Sequence, residues 1–346
     1  MREGVLKEEK IIPDGVDKGF LLGCIQGRAA RTEESMRLDL ETGLSGSDPF
    51  LAEVLQHALF QGGKRLRPVL VIFSSRLCGR DDDNLYLLAA AFEYLHTATL
   101  IHDDVIDHAE NRRGKESVVK KYGMAAAILA GDWLHARCMY LIGRLAGQEG
   151  LNVMCGATQA MVDGEFLQLR YAADSAVTEK QYRSVVLRKT AGLMSATCAI
   201  GALYGKGSQE QQHALALYGE KIGVAFQIID DLLDYLGDEQ ATGKMVGNDF
   251  IEGKMTLPLI HALAHASDAD KAELIRILEA APRDRAGCAR ARQLMLAADS
   301  FAFSRRRARQ EIGEGLAVLS CFDRGRHRES LTVLEQLADY ILQRDR

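Results

Sequence analysis

The stretch Thr97-Ala98-Thr99-Leu100-Ile101-His102-Asp103-Asp104-Val105-Ile106-Asp107 places three carboxylates within five residues of an otherwise apolar run. Successive residues of an α-helix lie about 100° apart around its axis, so Asp103 and Asp107 share one face of a predicted helix. Two carboxylates about 5 Å apart repel each other by roughly 3 kcal/mol at an effective dielectric near 20. One interpretation is a solvated acidic helix end; the other is a site for Mg²⁺, which prefers hard oxygen ligands.

A second copy of the pattern, Asp230-Asp231-Leu232-Leu233-Asp234, has the same two-residue gap and lies in an apolar sequence context. Asp230 and Asp234 share a helix face, and Gln227 lies three residues before Asp230 on the same side. Buried carboxylates require cations or hydrogen-bond donors. Two such helices facing each other would hold several Mg²⁺ ions around a diphosphate and stabilise it as a leaving group.

The distribution of proline indicates the fold class, because proline interrupts both helix interiors and central strands. No proline occurs between Pro68 and Pro258, and the residues in this run have high helix propensity. The sequence therefore predicts an all-α fold, a single large helical bundle around a central cavity. The predicted helices span residues 32–44, 49–61, 66–78, 83–107, 115–122, 124–147, 151–171, 178–205, 208–236, 255–265, 268–280, 287–316 and 327–343.

Composition and charge limit the class of protein. Residues 1–30 are predicted to be a mobile N-terminal extension, and residues 31–346 a single all-α domain. The net charge of −5 gives no general attraction to nucleic acid or to an anionic membrane. Seven scattered cysteines without a CxxC pattern indicate reduced thiols and a cytoplasmic protein. The sequence has no apolar run of 18 residues, so no transmembrane helix is predicted.

Motifs on either side of the two aspartate patterns complete a resemblance to a known family. Gly62-Gly63-Lys64-Arg65-Leu66-Arg67-Pro68 lies upstream, and Gly243-Lys244 and Gly253-Lys254-Met255-Thr256-Leu257-Pro258 lie downstream. In order and spacing the motifs resemble those of the trans-isoprenyl diphosphate synthases, or polyprenyl synthetases, from about residue 50 to about residue 260. The resemblance implies the isoprenoid synthase fold and a trans-prenyltransferase that condenses isopentenyl diphosphate with an allylic diphosphate.

The resemblance also implies a role for individual residues. Asp103, Asp107 and Asp230 would be the metal ligands, with three Mg²⁺ ions per active site once substrate is bound. The other motif aspartates, Asp104, Asp231 and Asp234, would support them through waters or an additional metal bond. The residues that would hold isopentenyl diphosphate are Lys64, Arg67, His96 and Arg113. The residues that would contact the allylic diphosphate are Arg112, Lys189, Thr190, Gln227, Lys244 and Lys254.

The mechanism implied by this family is ionisation, condensation and elimination. Metal ions, together with Arg112, Lys189 and Lys244, would draw the diphosphate away from the allylic carbon. The double bond of isopentenyl diphosphate would then attack the allylic cation, and a proton would pass to the departed diphosphate. No nucleophilic serine or cysteine is needed, and the sequence contains no G-x-S-x-G motif.

Product length is expected to depend on the cavity below the first aspartate motif. In the family, bulky aromatic residues four or five positions before the motif close the cavity early, whereas Ala98 and Thr99 occupy those positions here. Gly223 is expected to leave room on the opposite wall. We therefore expect a long-chain, octaprenyl-like product of roughly C30 to C50, a precursor of quinone side chains. The candidates for the cavity floor are Trp133, Met139, Tyr140 and Phe166.

Three alternatives remain open at this stage. A short-chain farnesyl or geranylgeranyl diphosphate synthase shares every catalytic residue and differs only in cavity depth. A class I terpene cyclase needs no isopentenyl site, which argues against it because Lys64, Arg67 and Arg113 match that site. A non-catalytic subunit of a hetero-oligomeric synthase would be expected to have lost aspartates, but all six are present.

The resemblance suggests a homodimer that packs across a two-fold axis, with no transmembrane segment and a transient membrane contact for product release. The arginine-rich run 304–309 is predicted to be a solvated helix face. Arg344 and Arg346 are predicted to reach the mouth of the cavity.

Overall fold

The structure, a computed structural model, describes residues 18–63, 65–112, 114–237, 246–280 and 282–344. These residues are helical apart from one antiparallel hairpin, in which β1 (Asn111–Arg112) pairs with β2 (Lys115–Glu116). The prediction of an all-α fold is confirmed. The helices are α1 (Lys18–Gly43), α2 (Pro49–Leu59), α3 (Leu66–Leu77), α4 (Asp83–Ile106), α5 (Val118–Tyr122), α6 (Met124–Arg170), α7 (Glu179–Val186), α8 (Gly192–Tyr204), α9 (Gln209–Leu236), α10 (Asn248–Ile251), α11 (Leu257–His265), α12 (Asp268–Glu279), α13 (Arg285–Ala297), α14 (Ser300–Ala317) and α15 (Arg324–Leu342).

Local sequence fixes where the helices of the site begin. Asp48 caps α2, accepting a hydrogen bond from the Phe50 N–H at 2.8 Å, and proline occupies the first helical position. Capping boxes formed by Thr178 with Gln181 and by Ser208 with Gln211 start α7 and α9. In each box the side chains and backbone groups satisfy each other at the helix N-terminus. The caps fix the start of α7 and of α9, the helix that carries the second aspartate motif.

The N-terminal boundary of the packed chain differs from the prediction. α1 begins at Lys18, within the segment predicted to be a mobile extension. Leu21 and Ile25 are only 1% and 9% exposed and belong to the hydrophobic core. The prediction is wrong for residues 18–30, because two apolar residues one turn apart give this segment a helix face to bury. Residues 1–17 lie outside the described residues.

The boundary predicted between the helices 124–147 and 151–171 is visible inside α6, where Gly147 has a non-helical φ of 70°. Three other predicted helices are divided or shortened. The helix predicted at 178–205 contains a π-helical segment, Leu187–Ala191, between α7 and α8. The helix predicted at 287–316 is divided at Asp299, whose φ is 55°. The helix predicted at 115–122 starts at Val118, because the preceding residues form the hairpin.

The π-helical segment lies between the two parts of the bundle that carry the aspartate motifs. α4 packs on α6, α9 packs on α8, and the segment contacts both α6 and α9. Two glycines allow the segment to approach α6 and α9 closely. A Cβ on Gly164 would lie 2.8 Å from the backbone nitrogen of Lys189, and a Cβ on Gly223 would lie 2.7 Å from the Cα of Ala191, and both distances are too short for a side chain. Gly223 therefore packs against the segment and does not widen a cavity wall, so that prediction is wrong.

The hydrophobic core consists of two clusters. One contains the buried apolar residues of α4 and most of the buried residues of α6, and the other contains the buried apolar residues of α9. Within the described parts of the chain, no helix has both the length and the hydropathy that crossing a bilayer requires.

Replacement of a buried residue of α1 tests whether this helix is part of the domain. Leu21→Ala should lower the free energy of unfolding by about 2–5 kcal/mol, because it leaves a cavity in the core. Leu22→Ala is the control, since Leu22 is 48% exposed and its truncation should cost about 0.5 kcal/mol or less. Urea unfolding measures both values, and equally small changes would contradict the packing of α1.

Candidate active site

The first aspartate motif lies at the C-terminal end of α4, where the helix dipole is negative. Asp107 is the C-cap of the helix, and its N–H donates to the Asp103 carbonyl at 2.8 Å. Burial, followed by the nearby carboxylate of Glu165, raises the pKa of Asp103 to about 6. Burial and the Glu252 carboxylate also raise the pKa of Asp107. This helix end therefore has an excess of negative charge, which a cation would relieve.

Asp104 has a different environment from its two neighbours in the motif. It is only 3% exposed, and it accepts a hydrogen bond from Arg112 Nε at 2.8 Å. Because Arg112 lies in β1, this ion pair holds the hairpin against α4 and places Arg112 beside the motif. A small cavity next to the pair is also lined by Thr97 and Ser117. Arg113 lies outside the described residues.

In the second motif, Asp231 is the centre of a buried hydrogen-bond network. The Tyr182 hydroxyl donates to Asp231 Oδ2 at 2.7 Å, and Gln227 Nε2 donates to Asp231 Oδ1 at 2.8 Å. Thr190 Oγ1 in turn donates to Gln227 Oε1 at 2.9 Å. Burial and the charge of Asp249 raise the pKa of Asp231, although Gln227 and Tyr182 oppose this change.

The outer aspartates of the second motif are more accessible. The Asp230 side chain is half exposed and lies 3.5 Å from Arg344 Nη2, so the expectation that Arg344 reaches the site agrees with the structure. Arg346 lies outside the described residues. Asp234 accepts a hydrogen bond from the Asp249 N–H at 3.1 Å. Burial and the Asp249 charge raise the pKa of Asp234 to about 7.

Two lysines lie among the carboxylates around the motifs, and one of them, Lys254, is close to both motifs. Lys189 Nζ lies 2.8 Å from Glu165 Oε2, and Lys254 Nζ lies 2.9 Å from Asp249 Oδ1. The positive charge of Lys189 favours ionised Asp103, whereas Lys254 favours the ionised forms of both Asp107 and Asp234. The two motifs, distant in sequence, therefore share one electrostatic environment.

The π-helical segment directs consecutive residues toward opposite partners. Lys189 contacts Glu165 and Gln168 on α6, whereas Thr190 contacts Gln227 on α9. Single-turn π-helices inside α-helices are often found at functional sites. The family resemblance assigns roles to Lys189 and Thr190, but the sequence does not predict the π-helix, because helix periodicity gives no sign of one extra residue.

Arg65, which has no role in the predicted site, lies between Lys64 and Arg67 in the sequence and is buried. Its φ is 49°, and its side chain is 1% exposed. The guanidinium pairs with Glu93 of α4 and donates to the Leu59 carbonyl at 2.6 Å and to Glu33 at 3.0 Å. Arg65 thus joins the loop between α2 and α3 to α4, at a position three residues before His96. A lone glutamate in the apolar run 87–95 was the available sequence signal.

The remaining predicted residues are placed as follows. Arg67 and His96 are half-buried, and Lys64 and Lys244 lie outside the described residues. Ala98 is buried in the α4 cluster, and Thr99 donates to the His96 carbonyl at 2.8 Å. The floor candidates Trp133 and Met139 are half-buried, whereas Tyr140 and Phe166 are 52% and 68% exposed on α6. In the arginine-rich run, Arg305, Arg306 and Arg309 are exposed.

The donor set fits a hard divalent cation. The accessible donors at the two motifs are carboxylate oxygens, which suit Mg²⁺ when substrate phosphates and waters supply the remaining ligands. Within the described ranges, no three His, Cys, Asp or Glu side chains form a ready-made metal site. A helical bundle that brings two aspartate-rich helix ends and several basic side chains together has the architecture of an isoprenoid synthase.

Comparisons with known proteins identify the family. A family model described as Polyprenyl synthetase matches residues 48–295. The octaprenyl diphosphate synthase of Escherichia coli (strain K12) is 37% identical over 285 residues, which are 82% of this chain and 87% of that protein. A short chain isoprenyl diphosphate synthase of Methanothermobacter thermautotrophicus is 40% identical over 232 residues, 66% of this chain and 71% of that protein.

A solved structure supports the same assignment. A polyprenyl synthase from Caulobacter crescentus CB15, complexed with calcium and isoprenyl diphosphate, superposes with a TM-score of 0.84 at 32% identity. The match covers 96% of this chain and 100% of that chain. The chain belongs to the polyprenyl synthetase family, and its enzyme class is that of the prenyltransferases.

Disruption of the Arg65–Glu93 pair tests whether it stabilises the loop. Arg65→Met should lower the free energy of unfolding by about 3–5 kcal/mol, because Glu93 would keep a buried charge without its partner. Combining it with Glu93→Leu should recover much of the loss. Arg306→Met, which removes an exposed ion pair with Asp299, is the control and should cost about 1 kcal/mol or less. Equal losses for Arg65→Met and Arg306→Met in denaturant unfolding would contradict this role.

Proposed function

We propose that this protein is a long-chain trans-polyprenyl diphosphate synthase, which condenses isopentenyl diphosphate with an allylic diphosphate. The observation that carries the proposal is that Lys254 lies close enough to Asp107 of the first motif and to Asp234 of the second to favour the ionised form of both. The polyprenyl synthetase match spans both motifs and supports the proposal. The relative that is similar over more of the chain is an octaprenyl diphosphate synthase, which favours a long product.

Mg²⁺ is proposed as the cofactor, held by Asp103, Asp107 and Asp230, with three ions per active site when substrate is bound. Bound Mg²⁺ would neutralise the allylic diphosphate and favour its departure. The side chains of these aspartates reach the solvent-accessible part of the site, whereas Asp104 and Asp231 are buried by protein partners. The calcium in the Caulobacter protein supports a divalent cation at such a site.

The basic residues are proposed to exchange carboxylate partners for diphosphate oxygens. Lys189, Lys254 and Arg112 each contact an acidic side chain. Lys189 and Lys254 would exchange these partners for oxygens of an allylic diphosphate, while bound Mg²⁺ neutralises the carboxylates that they release. Arg112 has five N–H donors, so it can bind the diphosphate and still keep its bond to buried Asp104. Thr190, Gln227 and Lys244 are proposed to complete the allylic half of the site.

The other half of the site is proposed to hold isopentenyl diphosphate through Lys64, Arg67, His96 and Arg113. The double bond of this substrate would attack the allylic cation, and the released diphosphate would accept the proton. The apolar residues around the motifs would exclude water, which otherwise captures the cation.

The proposed assembly is a cytoplasmic homodimer of single-domain subunits. Several apolar side chains of α6 are exposed, among them Leu129 and Leu169 at 65% and 69% exposure, and a second copy would cover them. Tyr140 and Phe166 are also exposed on α6, so they fit an interface better than a cavity floor inside one subunit.

The motif aspartates provide the direct test of the function. With Mg²⁺, isopentenyl diphosphate and farnesyl or geranylgeranyl diphosphate, Asp103→Ala and Asp230→Ala should each lower kcat by about 100- to 1,000-fold or more, through lost transition-state stabilisation. Asp83→Ala is the control, because Asp83 lies at the opposite end of α4 and its side chain is 99% exposed. Sizing the dephosphorylated product of the unaltered protein measures chain length. Full activity in either motif variant would remove that residue from the metal site.

The volume at position 98 tests the chain-length proposal. Ala98→Tyr should shorten the product, because an aromatic ring would close the cavity one turn below Asp103, and Ala98→Val should have a smaller effect in the same direction. Ala89→Val is the control, since Ala89 is equally buried on the opposite face of α4. Melting temperatures separate destabilisation from altered specificity. An unchanged product distribution in an Ala98→Tyr protein that remains folded would argue against this geometry.

A further inference from the structure

We propose that Tyr182 is a positioning residue for the allylic half of the active site. It holds Asp231 through its hydroxyl and, through Gln227 and Thr190, fixes the π-helical segment against α9. The inference rests on the proposed prenyltransferase function.

The geometry around Asp231 leaves both carboxylate oxygens occupied by protein donors. Tyr182 and Asp231 are only 7% and 4% exposed. The Tyr182 hydroxyl donates to Oδ2 at 2.7 Å, and Gln227 Nε2 donates to Oδ1 at 2.8 Å. A buried carboxylate without such donors would be strongly disfavoured. Asp231 is therefore held by protein donors on both oxygens, and its position sets that of the neighbouring proposed metal ligand Asp230.

The network joins three elements of the bundle. Tyr182 lies in α7, Asp231 and Gln227 lie in α9, and Thr190 lies in the π-helical segment, where its hydroxyl donates to Gln227 at 2.9 Å. Lys189, the neighbour of Thr190, faces the other way and contacts Glu165 at 2.8 Å. The position of Lys189 relative to the second motif is therefore set by hydrogen bonds that end at Tyr182.

α7 is itself held from outside, so its tyrosine is a fixed donor. Arg307 Nε of α14 lies 2.9 Å from Glu179 Oε1 at the start of α7, and Arg183 of α7 pairs with Glu311 of α14. These two ion pairs connect the same two helices on either side of Tyr182. Movement of α7 away from α9 would require both pairs to shift.

Loss of the hydroxyl should affect one substrate and not the other. Without the Tyr182 hydroxyl, Asp231 Oδ2 would be buried with no donor, so the Asp231 side chain would move. The hydrogen bonds that position Gln227 and the π-helical segment relative to Asp231 would then be weakened. The isopentenyl half is supported separately, by the pair between Arg65 and Glu93. A merely structural role would weaken both halves together.

Tyr182→Phe and a matched control test the inference. Tyr218→Phe is the control, because Tyr218 is also fully buried and its hydroxyl donates at 2.7 Å to the Leu334 carbonyl, away from the motif. Calorimetric titration with Mg²⁺ and inorganic pyrophosphate should show binding about tenfold weaker in Tyr182→Phe than in the control, because displacement of Asp231 would shift the adjacent proposed metal ligand Asp230, and loss of a residue behind a metal ligand typically has an effect of this size. The Mg²⁺ concentration for half-maximal activity and the KM for the allylic diphosphate should rise about tenfold, with the KM for isopentenyl diphosphate unchanged.

Two results would overturn the inference. One is pyrophosphate binding in Tyr182→Phe equal to that in Tyr218→Phe. The other is an equal rise in KM for both substrates, which would indicate a general structural role. Prenyl transfer by the unaltered protein together with either result would remove only the role of Tyr182, whereas absence of prenyl transfer by the unaltered protein would contradict the proposed function itself.

A second variant covers the case in which Tyr182→Phe does not fold. Thr190→Val removes the hydroxyl at the other end of the network with little change in volume, and it should raise the same KM and Mg²⁺ values. Thr197→Val is its control, because the Thr197 hydroxyl donates to the Leu193 carbonyl at 2.7 Å within α8. If Tyr182→Phe folds, the double variant should lose less than the sum of the single losses, as expected for one connected network. Identical behaviour of Thr190→Val and Thr197→Val would also overturn the inference.

Discussion

The concentration of carboxylates at one end of the bundle is the constraint on which the rest of the site depends. The six motif aspartates are joined there by Glu165, Asp249 and Glu252. The pKa values of Asp103 and Asp234 are raised even though Lys189 and Lys254 lie close enough to oppose the change. The protein's own cations therefore leave an excess of negative charge, and a divalent ion at the exposed oxygens would remove the repulsion that the fold creates.

The described basic side chains of the site are already paired, and this pairing explains how the bundle tolerates the charge. Lys189 with Glu165, Lys254 with Asp249, Arg112 with Asp104 and Arg344 with Asp230 form four contacts around the two motifs. A metal–diphosphate complex brings both signs of charge together, so it can replace the contacts of Lys189, Lys254 and Arg344 pair by pair, whereas Asp104, which is 3% exposed, keeps Arg112. Exchange of partners costs less than new burial of an uncompensated charge.

The sequence was sufficient for the fold class. Two aspartate triplets with the same gap predicted which side chains share a helix face, because helix geometry converts spacing into direction, and the binding roles assigned to them stay predictions. Spacing gave no information about Arg65 and Tyr182, since each acts through a partner far away in the chain. Spacing also failed for Gly223. A glycine leaves space that can either widen a cavity or be filled by a neighbouring backbone, and the sequence does not distinguish these outcomes. In the structure the backbone of Ala191 fills the space.

Arg65 and Tyr182 suggest that the two halves of the site are positioned independently. Each is a buried polar residue that contacts a buried acid on an aspartate helix: Arg65 reaches Glu93 of α4, and Tyr182 reaches Asp231 of α9. Buried ionic pairs often contribute less to stability than apolar residues of the same volume, so net stability alone is a weak explanation for them. Orientation of the site is a better explanation, since a hydrogen-bonded pair fixes the orientation of its side chains in a way that apolar packing does not. A reaction that must hold two diphosphates apart while joining their hydrocarbon parts would benefit from separate anchors, because a shift in one half would then leave the other in place.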